Sequence, residues 1–217
     1  PDFAATKSPD QPGFNDPFIM KTDGKGWLFG ALNEGPFPTH YEPVETPTDN
    51  ALYPNQKNNP AIKVWKTNEG QDVGNNWATL DKFPIVATTY RVCEHWQAGG
   101  MSRWLEWLVE AHPDMFIEMS EELAAEKGIK GGEKVKIRSA RGEIEAVAIV
   151  TKRFKPFQVN GKTVHEVGMP WHFGWGGGGE LEALAKGDTA NDLTPHVGDA
   201  NTTIPEYKAF LVDVEKA

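Results

Sequence analysis

Apolar and polar positions divide the chain into two parts. From Phe83 onwards short apolar runs alternate with turn signals, whereas no helical period is sustained over residues 1–82. The alternation over residues 134–139 and the apolar run over 144–150 flank the Arg141-Gly142 turn, which predicts a β-hairpin. Further strands are predicted near residues 83–87, 115–119, 164–168 and 210–214.

Two short helices are predicted among these strands. The first covers roughly residues 102–111, with Ser102 as its N-cap, and ends at His112 because the residue before a proline disfavours helix. The second begins after Ser120, a typical N-cap, and ends at Gly128, a typical C-cap. Short strands with two small helices favour a mixed α/β, β-rich barrel over a doubly wound sheet.

Residues 1–82 are interpreted as an extended arm that packs on something larger, and residues 83–217 as the compact domain. The arm contains most of the prolines and turn pairs such as Asp23-Gly24. A disordered linker is the alternative. It is disfavoured by the aromatic residues of the arm, which are Trp27, Phe29, Phe37, Tyr41 and Trp65.

The charge of the chain limits the kinds of partner that it can have. The 217 residues carry a net charge of −9 at pH 7, which disfavours nucleic acid, so any anionic ligand must be met by a local cluster of positive groups. No apolar run approaches the length of a membrane span, and no signal peptide is visible. Because the chain starts at Pro1 without Met, a processed product or a part of a longer polypeptide is expected.

Metal binding by side chains of this chain is not expected. The single cysteine, Cys93, excludes an internal disulfide and a cysteine-based zinc or iron–sulfur site. The histidines lie at no regular metal-ligand spacing. Cys93 itself is interpreted as a small buried residue, since free cysteine is usually buried, with a reactive thiol as the alternative.

The first candidate site is the strand-to-helix connection over residues 88–103. It carries two arginines, a histidine, two hydroxyl residues and a Gly-Gly pair. Backbone N–H groups at the N-terminus of the following helix suit a bound anion, so an anionic ligand with a polar ring system is favoured. The alternative is an ordinary strand, loop and capped helix, which occur in most α/β domains.

Two further clusters could complete such a site. In residues 168–179, glycines allow close approach to a flat ligand, aromatics could stack on a ring, and His172 could donate a hydrogen bond to it. In residues 191–208, Asp and Asn side chains suit the Watson–Crick edge of guanine. The alternatives are a flexible surface loop beside buried aromatics for the first cluster and an Asx-rich turn for the second.

Together the three clusters resemble the C-terminal molybdopterin-dinucleotide-binding domain of formate dehydrogenase large subunits. The resemblance lies in residues 88–103, 164–175 and 191–212. The arm over residues 16–20 and 34–43 is similar to the segment that precedes this domain in the respiratory, iron–sulfur-partnered enzymes. The resemblance therefore covers nearly the whole chain.

The resemblance implies a double-psi β-barrel that closes over two molybdopterin guanine dinucleotides holding a Mo or W ion. It places a first group of residues along one dinucleotide, namely Thr89, Tyr90, Arg91, Glu94, His95, Ser102 and Arg103. It places a second group near a pterin, namely His172, Gly174 and Trp175. It places a third group around the tail and the guanine base of the dinucleotide, namely Asn191, Asp199, Asn201, Tyr207 and Lys208.

The same resemblance implies that this chain supplies no catalytic residue and no metal ligand. In the family the large subunit oxidises formate to CO2, and its metal ligand, active-site residues and 4Fe-4S cluster lie upstream of this domain. Gln97 replaces a histidine common in the family's motif, and Cys93 does not match the ligand position. We expect the chain to be the C-terminal piece of the catalytic subunit, inactive alone and partnered by the rest of that subunit.

The expected setting follows from the respiratory relatives of this family. It is a periplasmic enzyme of anaerobic respiration with an iron–sulfur electron-transfer subunit, and a cytoplasmic enzyme is the alternative. Other functions stay open, namely another bis-pterin oxidoreductase of the nitrate or polysulfide type, a non-catalytic binding module such as a carbohydrate binder, or a segment that holds the cofactor for delivery. The formate-type arm argues against the first of these.

Overall fold

The computed structural model describes residues 43–48, 62–64, 69, 77–174, 188–199 and 204–217. All of them belong to one compact unit, which comprises residues 41–217. Most of the predicted arm, including residues 16–20, lies outside the described residues. The domain boundary predicted after residue 82 stays a prediction.

Nine strands and two α-helices are seen in the described part of the chain. The strands are β1 (Ile62–Val64), β2 (Ile85–Tyr90), β3 (Phe116–Ser120), β4 (Lys134–Arg138), β5 (Glu143–Thr151), β6 (Phe157–Val159), β7 (Lys162–Pro170), β8 (Val197–Asp199) and β9 (Phe210–Lys216). The helices are α1 (Glu106–Ala111) and α2 (Glu121–Lys127). The predicted strands and the β4–β5 hairpin are confirmed. The short apolar run over residues 62–65, which could form a single strand, contains β1, whereas β6 and β8 were not predicted because each has only three residues.

Six of the strands close into a barrel. Their order is β2-β9-β4-β5-β3-β7, and β7 pairs again with β2. The pairs β2–β7 and β3–β5 are parallel, and the other pairs in the barrel are antiparallel. This closed, mixed six-strand barrel confirms the double-psi β-barrel expected from the sequence, and closure leaves no unpaired edge within it.

The core lies inside the barrel and follows the period of two along its strands. On β2 the side chains of Ile85 and Ala87 are buried, and on β4 those of Val135 and Ile137 are fully buried. Each buried side chain of the size of valine or isoleucine stabilises the fold by about 1.5–3 kcal/mol. Met119 of β3 and Met169 of β7 fill the same core.

Helix α2 begins and ends as the sequence predicts. The Ser120 hydroxyl accepts a hydrogen bond from the Leu123 amide at 3.1 Å, which satisfies one free N–H group of the first turn. Gly128 ends the helix in the left-handed region with φ +67°. The helix packs Leu123 and Ala124 against the barrel core.

The prediction of one helix over residues 102–111 is wrong at its start. Residues Ser102–Trp104 form a 3-10 turn, Leu105 is extended, and α1 begins only at Glu106. The Ser102 hydroxyl does not cap a helix, because it accepts a hydrogen bond from the Trp96 amide at 2.8 Å. The predicted helix N-terminus with its free backbone N–H groups is therefore absent at Ser102, where the structure has a short 3-10 turn instead. The end at His112 is as predicted.

Candidate functional site

Two of the sequence clusters meet at one end of the barrel. Strands β2 and β7 are parallel neighbours, so the loops that follow them lie at the same edge. The Val92 amide donates to Nε2 of His172 at 2.8 Å. Gly99 has φ +86°, and a Cβ atom at this position would lie 2.1 Å from the His172 carbonyl oxygen. The loop after β2 is therefore closely packed on the loop after β7.

His172 binds within the protein through both of its ring nitrogens. Because Nε2 accepts from Val92, the proton lies on Nδ1, which donates to the Gln97 carbonyl. Burial lowers the pKa of His172, so the ring is held neutral. Gln97 takes φ +51°, and its main-chain carbonyl serves this contact. The expected contact between His172 and a pterin stays a prediction, and the visible role of the ring is to hold the loop.

His95 holds the other side of the same loop. Its ring nitrogens lie 3.2 Å from Ser102 Oγ and 2.9 Å from the His112 carbonyl oxygen, and the side chain is buried. The ring also meets Phe173 edge-on, at 5.9 Å between centroids. His95 and Ser102, both predicted along a dinucleotide, thus contact the loop itself in this structure.

The arginines of the first cluster differ in exposure. Arg103 is fully buried, and its guanidinium lies 4.3 Å from the centre of the Phe173 ring. Burial lowers the pKa of Arg103, although the negative charge of Asp114 raises it. Arg91 is exposed. Of these two cations, Arg91 is therefore the one presented at the surface of the described chain.

Several side chains meet at the end of β2, directly before Arg91 in the chain. The Thr89 hydroxyl donates to the Tyr207 carbonyl at 2.9 Å, and Lys208 Nζ donates to the Thr89 carbonyl. Burial lowers the pKa of Lys208, and the positive charge of Arg91 lowers it further. The Tyr207 ring stacks on Trp171 at 4.3 Å.

A cleft of about 530 Å³ opens beside Lys208. Its described lining residues are Pro43, Asp199, Ile204, Pro205, Glu206, Lys208 and Ala209. The Asp199 amide donates to the Ile204 carbonyl at 2.8 Å, so β8 and the residues after 204 form the wall together. The volume falls within the range of small-molecule sites, about 300–1,000 Å³. Asp199 and Lys208, both predicted from the sequence, line one cleft.

Tyr90 belongs to a different cluster of side chains. Its hydroxyl donates to Glu118 at 2.7 Å, and Arg153 pairs with the same carboxylate. Burial, followed by the hydrogen bond to Glu118, raises the pKa of Tyr90 well above its ordinary value, so the phenol stays protonated. A Cβ atom at Gly168 would lie 2.4 Å from the Tyr90 ring. The structure therefore places Tyr90 in a polar cluster on the outer face of the barrel, and its role toward a dinucleotide stays a prediction.

The start of the third cluster lies beside the end of the second. Gly174 has φ +91°, and a Cβ atom there would lie 2.2 Å from Cβ of Thr189. The Asn191 amide donates to the Thr189 hydroxyl at 3.2 Å, and Asn191 is exposed. Glu94 is half-buried in the first loop. Trp175 and Asn201 lie outside the described residues.

Glu45 is a site residue that the sequence did not predict. Its carboxylate accepts from the amides of Ala78 and Leu211, both at 2.8 Å, and it is only 2% exposed. Arg141 pairs with both carboxylate oxygens and donates through Nε to the Leu193 carbonyl at 2.9 Å. Glu45 thus fixes its own segment, residues 43–48, to the barrel, and Pro43 of this segment lines the cleft. No local pattern signals the pair, since its members lie 96 residues apart.

The prediction that Cys93 is buried is wrong. Strand β2 ends at Tyr90, so Cys93 lies in the loop beyond the barrel, where its side chain is exposed. Among the described residues no group of three or more His, Cys, Asp or Glu could hold a metal ion. The described helices include none that is long and apolar enough to cross a membrane.

Comparison with known proteins identifies the class to which this barrel and its cleft belong. Residues 85–211 match the family model described as Molydopterin dinucleotide binding domain, which is more than half of the chain. The chain belongs to this family. The matched range begins at β2 and reaches into β9, and it includes the loops that meet at His172.

The particular relatives are formate dehydrogenases, as the resemblance predicted. The chain is 48% identical to formate dehydrogenase subunit alpha of Megalodesulfovibrio gigas over 204 residues, 92% of this chain and 19% of that protein. It is 47% identical over 221 residues to the nitrate-inducible major subunit of Escherichia coli K12 formate dehydrogenase, 100% of this chain and 20% of that one. The chain thus spans about a fifth of the length of these relatives.

A solved structure shares the fold. Acetylene hydratase from Pelobacter acetylenicus superposes with a TM-score of 0.53 over 84% of this chain and 22% of its own. At 14% sequence identity this likeness shows the architecture alone.

Proposed function

We propose that this chain is the cofactor-binding segment of a formate dehydrogenase catalytic subunit. One observation carries the proposal: Asp199 and Lys208 line a single cleft in a chain whose family is defined by molybdopterin dinucleotide binding. The curated relatives at 47–48% identity are formate dehydrogenase subunits. They favour formate dehydrogenase over the nitrate or polysulfide type of enzyme.

The residues of the cleft fit the polar parts of a guanine dinucleotide. Lys208 lines the cleft and supplies a positive charge that suits the pyrophosphate, and Arg91 is exposed in the loop after β2, where it could contact the same group. A carboxylate such as that of Asp199 accepts from the ring N–H and the exocyclic amine of guanine together. Thr89 holds the Lys208 ammonium beside the cleft through its carbonyl. The chain thus has acceptors for the base and cations for the phosphates in one place.

The loop held by His172 and His95 would close over the pterin end of the ligand. The neutral His172 ring binds two main-chain groups of that loop, which restricts the loop and lowers the entropy that it would lose on binding a ligand. When bound, the cofactor supplies the metal-centred oxidation of formate to CO2. The chain's own residues bind it, orient it and set the charge around it.

The wider assembly belongs to the same proposal. We infer two molybdopterin guanine dinucleotides with Mo or W, and a 4Fe-4S cluster in the rest of the subunit. An iron–sulfur electron-transfer subunit and a periplasmic role in anaerobic respiration complete the assignment. These points rest on the resemblance of the arm and the three clusters to the respiratory enzymes.

The test is an analysis of the native complex that contains this chain. Its mass, metal content and guanine nucleotide content should reveal a larger subunit with two guanine nucleotides for each Mo or W, and formate should reduce an artificial electron acceptor. A complex that reduces nitrate or polysulfide but ignores formate would transfer the assignment to another bis-pterin enzyme. A lone chain without nucleotide would favour a non-catalytic binding module.

A further inference from the structure

The Tyr90 side chain reaches across one strand of the barrel to the next. Strand β7 lies between β2 and β3 in the strand order. Gly168 of β7 is in register with Thr88 of β2 on one side and with Glu118 of β3 on the other. The Tyr90 hydroxyl donates to the Glu118 carboxylate at 2.7 Å, and the phenol ring lies over Gly168. One hydrogen bond therefore joins the end of β2 to β3, two strands away.

The space for this ring depends on Gly168. A Cβ atom at this position would lie 2.4 Å from the Tyr90 ring and 2.8 Å from the Phe154 ring. Gly168 does not have a positive φ, so its backbone conformation is open to other residues. The glycine is therefore explained by the two aromatic rings that pack on it, rather than by the backbone.

Two further side chains hold Tyr90 and Glu118 in place. Arg153 pairs with the Glu118 carboxylate, and its guanidinium lies 5.3 Å from the centre of the Tyr90 ring. The centres of the Tyr90 and Phe116 rings are 6.2 Å apart. Glu118 is only 8% exposed, and a carboxylate that has lost most of its water needs such partners. The position of the phenol is thus fixed by a charge, a hydrogen bond and ring contacts together.

The main chain of Tyr90 transmits this constraint to the candidate site. The Thr89 carbonyl, to which Lys208 Nζ donates, belongs to the same planar peptide group as the Tyr90 amide. The Tyr90 carbonyl accepts from the amide of Trp171, the first residue after β7, at 3.1 Å. The two peptide groups that flank the Tyr90 side chain therefore bind the lysine of the cleft and the start of the loop that contains His172.

We propose that Tyr90 is a positioning residue of the cofactor site. Its hydrogen bond to Glu118 fixes the peptide group that holds Lys208, so the ammonium stays at the cleft. This inference rests on the proposed function, in which the ligand of the cleft is an anionic dinucleotide. It assigns Tyr90 an indirect role in place of the direct contact that the resemblance implies, because the phenol lies on the outer face of the barrel.

The variant Tyr90→Phe in the full-length subunit removes the hydrogen bond and keeps the ring. Guanine nucleotide should dissociate roughly 2- to 10-fold faster, which is less than the full value of a hydrogen bond to a charged group because the effect is indirect. Glu118→Ala should act in the same way, whereas Glu118→Gln keeps an oxygen acceptor for the phenol and should restore slow dissociation. Glu143→Ala is the matched control, since Glu143 pairs with Arg138 on the β4–β5 hairpin. Dissociation from Tyr90→Phe at the parent rate would overturn the proposal.

A double variant separates positioning from direct contact. If Tyr90 acts through Lys208, its hydroxyl has no further effect once Lys208→Gln has removed the ammonium. Tyr90→Phe/Lys208→Gln should then release guanine nucleotide at the same rate as Lys208→Gln alone. Additive effects of the two changes would overturn the proposal, because Tyr90 would then act on the ligand independently of Lys208.

Hydrogen exchange tests the same constraint without reference to the ligand. In Tyr90→Phe the Trp171 amide should exchange faster, whereas the amides of the β4–β5 hairpin should keep the parent rate. Unchanged exchange at Trp171, or an equal acceleration in the hairpin, would refute the positioning role. A parent subunit that lacks guanine nucleotide, while its Tyr90→Phe variant shows the expected exchange, would refute the proposed function and leave the constraint on β2 supported.

Discussion

Lys208 lines the cleft, and its side chain is tied to the end of β2. Its ammonium is held on Thr89, and both burial and Arg91 lower its pKa. We predict that the positive charge of Lys208 contacts the anionic part of the ligand and that Asp199, in the same cleft, contacts its base.

The variant Lys208→Gln should weaken cofactor retention in the full-length subunit. Loss of a charged contact of about 1.5–3 kcal/mol corresponds to a roughly 10- to 100-fold fall in affinity, so purified protein should contain less guanine nucleotide. Lys216→Gln is the matched control, since Lys216 pairs with Glu133 on the surface and does not line the cleft. Unchanged nucleotide content in Lys208→Gln would remove this lysine from the site.

The buried histidines should make stability depend on pH. Burial holds the pKa of His172 and of His112 below the ordinary value of 6.5, so the unfolded chain binds protons that the native protein excludes. The free energy of unfolding should therefore fall as pH decreases below about 6.5, until the native pKa is reached. Each histidine contributes a slope of at most about 1.4 kcal/mol per pH unit.

Urea denaturation at a series of pH values measures this dependence. The variant His172→Gln should be less stable at neutral pH, because it loses the contacts with Val92 and Gln97. It should also show a shallower fall below pH 6.5 than the parent protein, since one titrating group is gone. An identical slope in both proteins would mean that His172 is charged or exposed in the native state.

At the scale of elements, the loop after β2 depends on a close approach between its own main chain and that of the loop after β7. Gly99→Ala should destabilise the protein by about 2 kcal/mol or more, because the new methyl group meets the His172 carbonyl and φ is +86°. Gly100→Ala is an adjacent control with no atom within 4 Å, and its effect should stay within about 0.5 kcal/mol. Equal effects in chemical denaturation would contradict the packing of these loops.

The segment of residues 43–48 depends on a buried ion pair. Glu45→Gln leaves Arg141 without its carboxylate and should cost about 3–5 kcal/mol of unfolding free energy. Glu122→Gln breaks the exposed pair with Lys155 and should cost less than about 1 kcal/mol. Urea denaturation of both variants measures the difference. A small effect of Glu45→Gln would mean that the segment does not depend on this pair.

Local signals explain which elements could be predicted from the sequence. The β4–β5 hairpin and α2 have their turn and cap residues within a few positions, and both formed as predicted. The start of the helix near Ser102 could not be predicted, because its hydroxyl is taken by the loop. The Glu45–Arg141 pair is likewise invisible to any pattern along the chain.

The structure brings several of the predicted site residues together, whereas their roles toward a ligand stay predictions. The resemblance brought together Thr89, Tyr207 and Lys208, which the barrel places in contact across more than a hundred residues. It also named His95, Ser102 and His172, whose side chains bind the loop itself in this structure. The partner to which each side chain hydrogen-bonds decides whether it lies at the cleft or holds the loop. That partner depends on tertiary contacts that a motif does not encode.

At the scale of the molecule, the barrel explains how distant clusters form one site. Closure through β2 and β7 places the loops of the first two clusters at one edge, and β9 follows directly from Lys208 at the cleft. Residues from distant stretches of the sequence thus lie at one end of the barrel.

The most direct measurement is an experimental structure of the full-length subunit with its cofactor bound. We predict a guanine base in the cleft within hydrogen-bond distance of Asp199, with phosphate oxygens near Lys208 and Arg91. A cofactor that binds elsewhere on the subunit, with no nucleotide in this cleft, would contradict it.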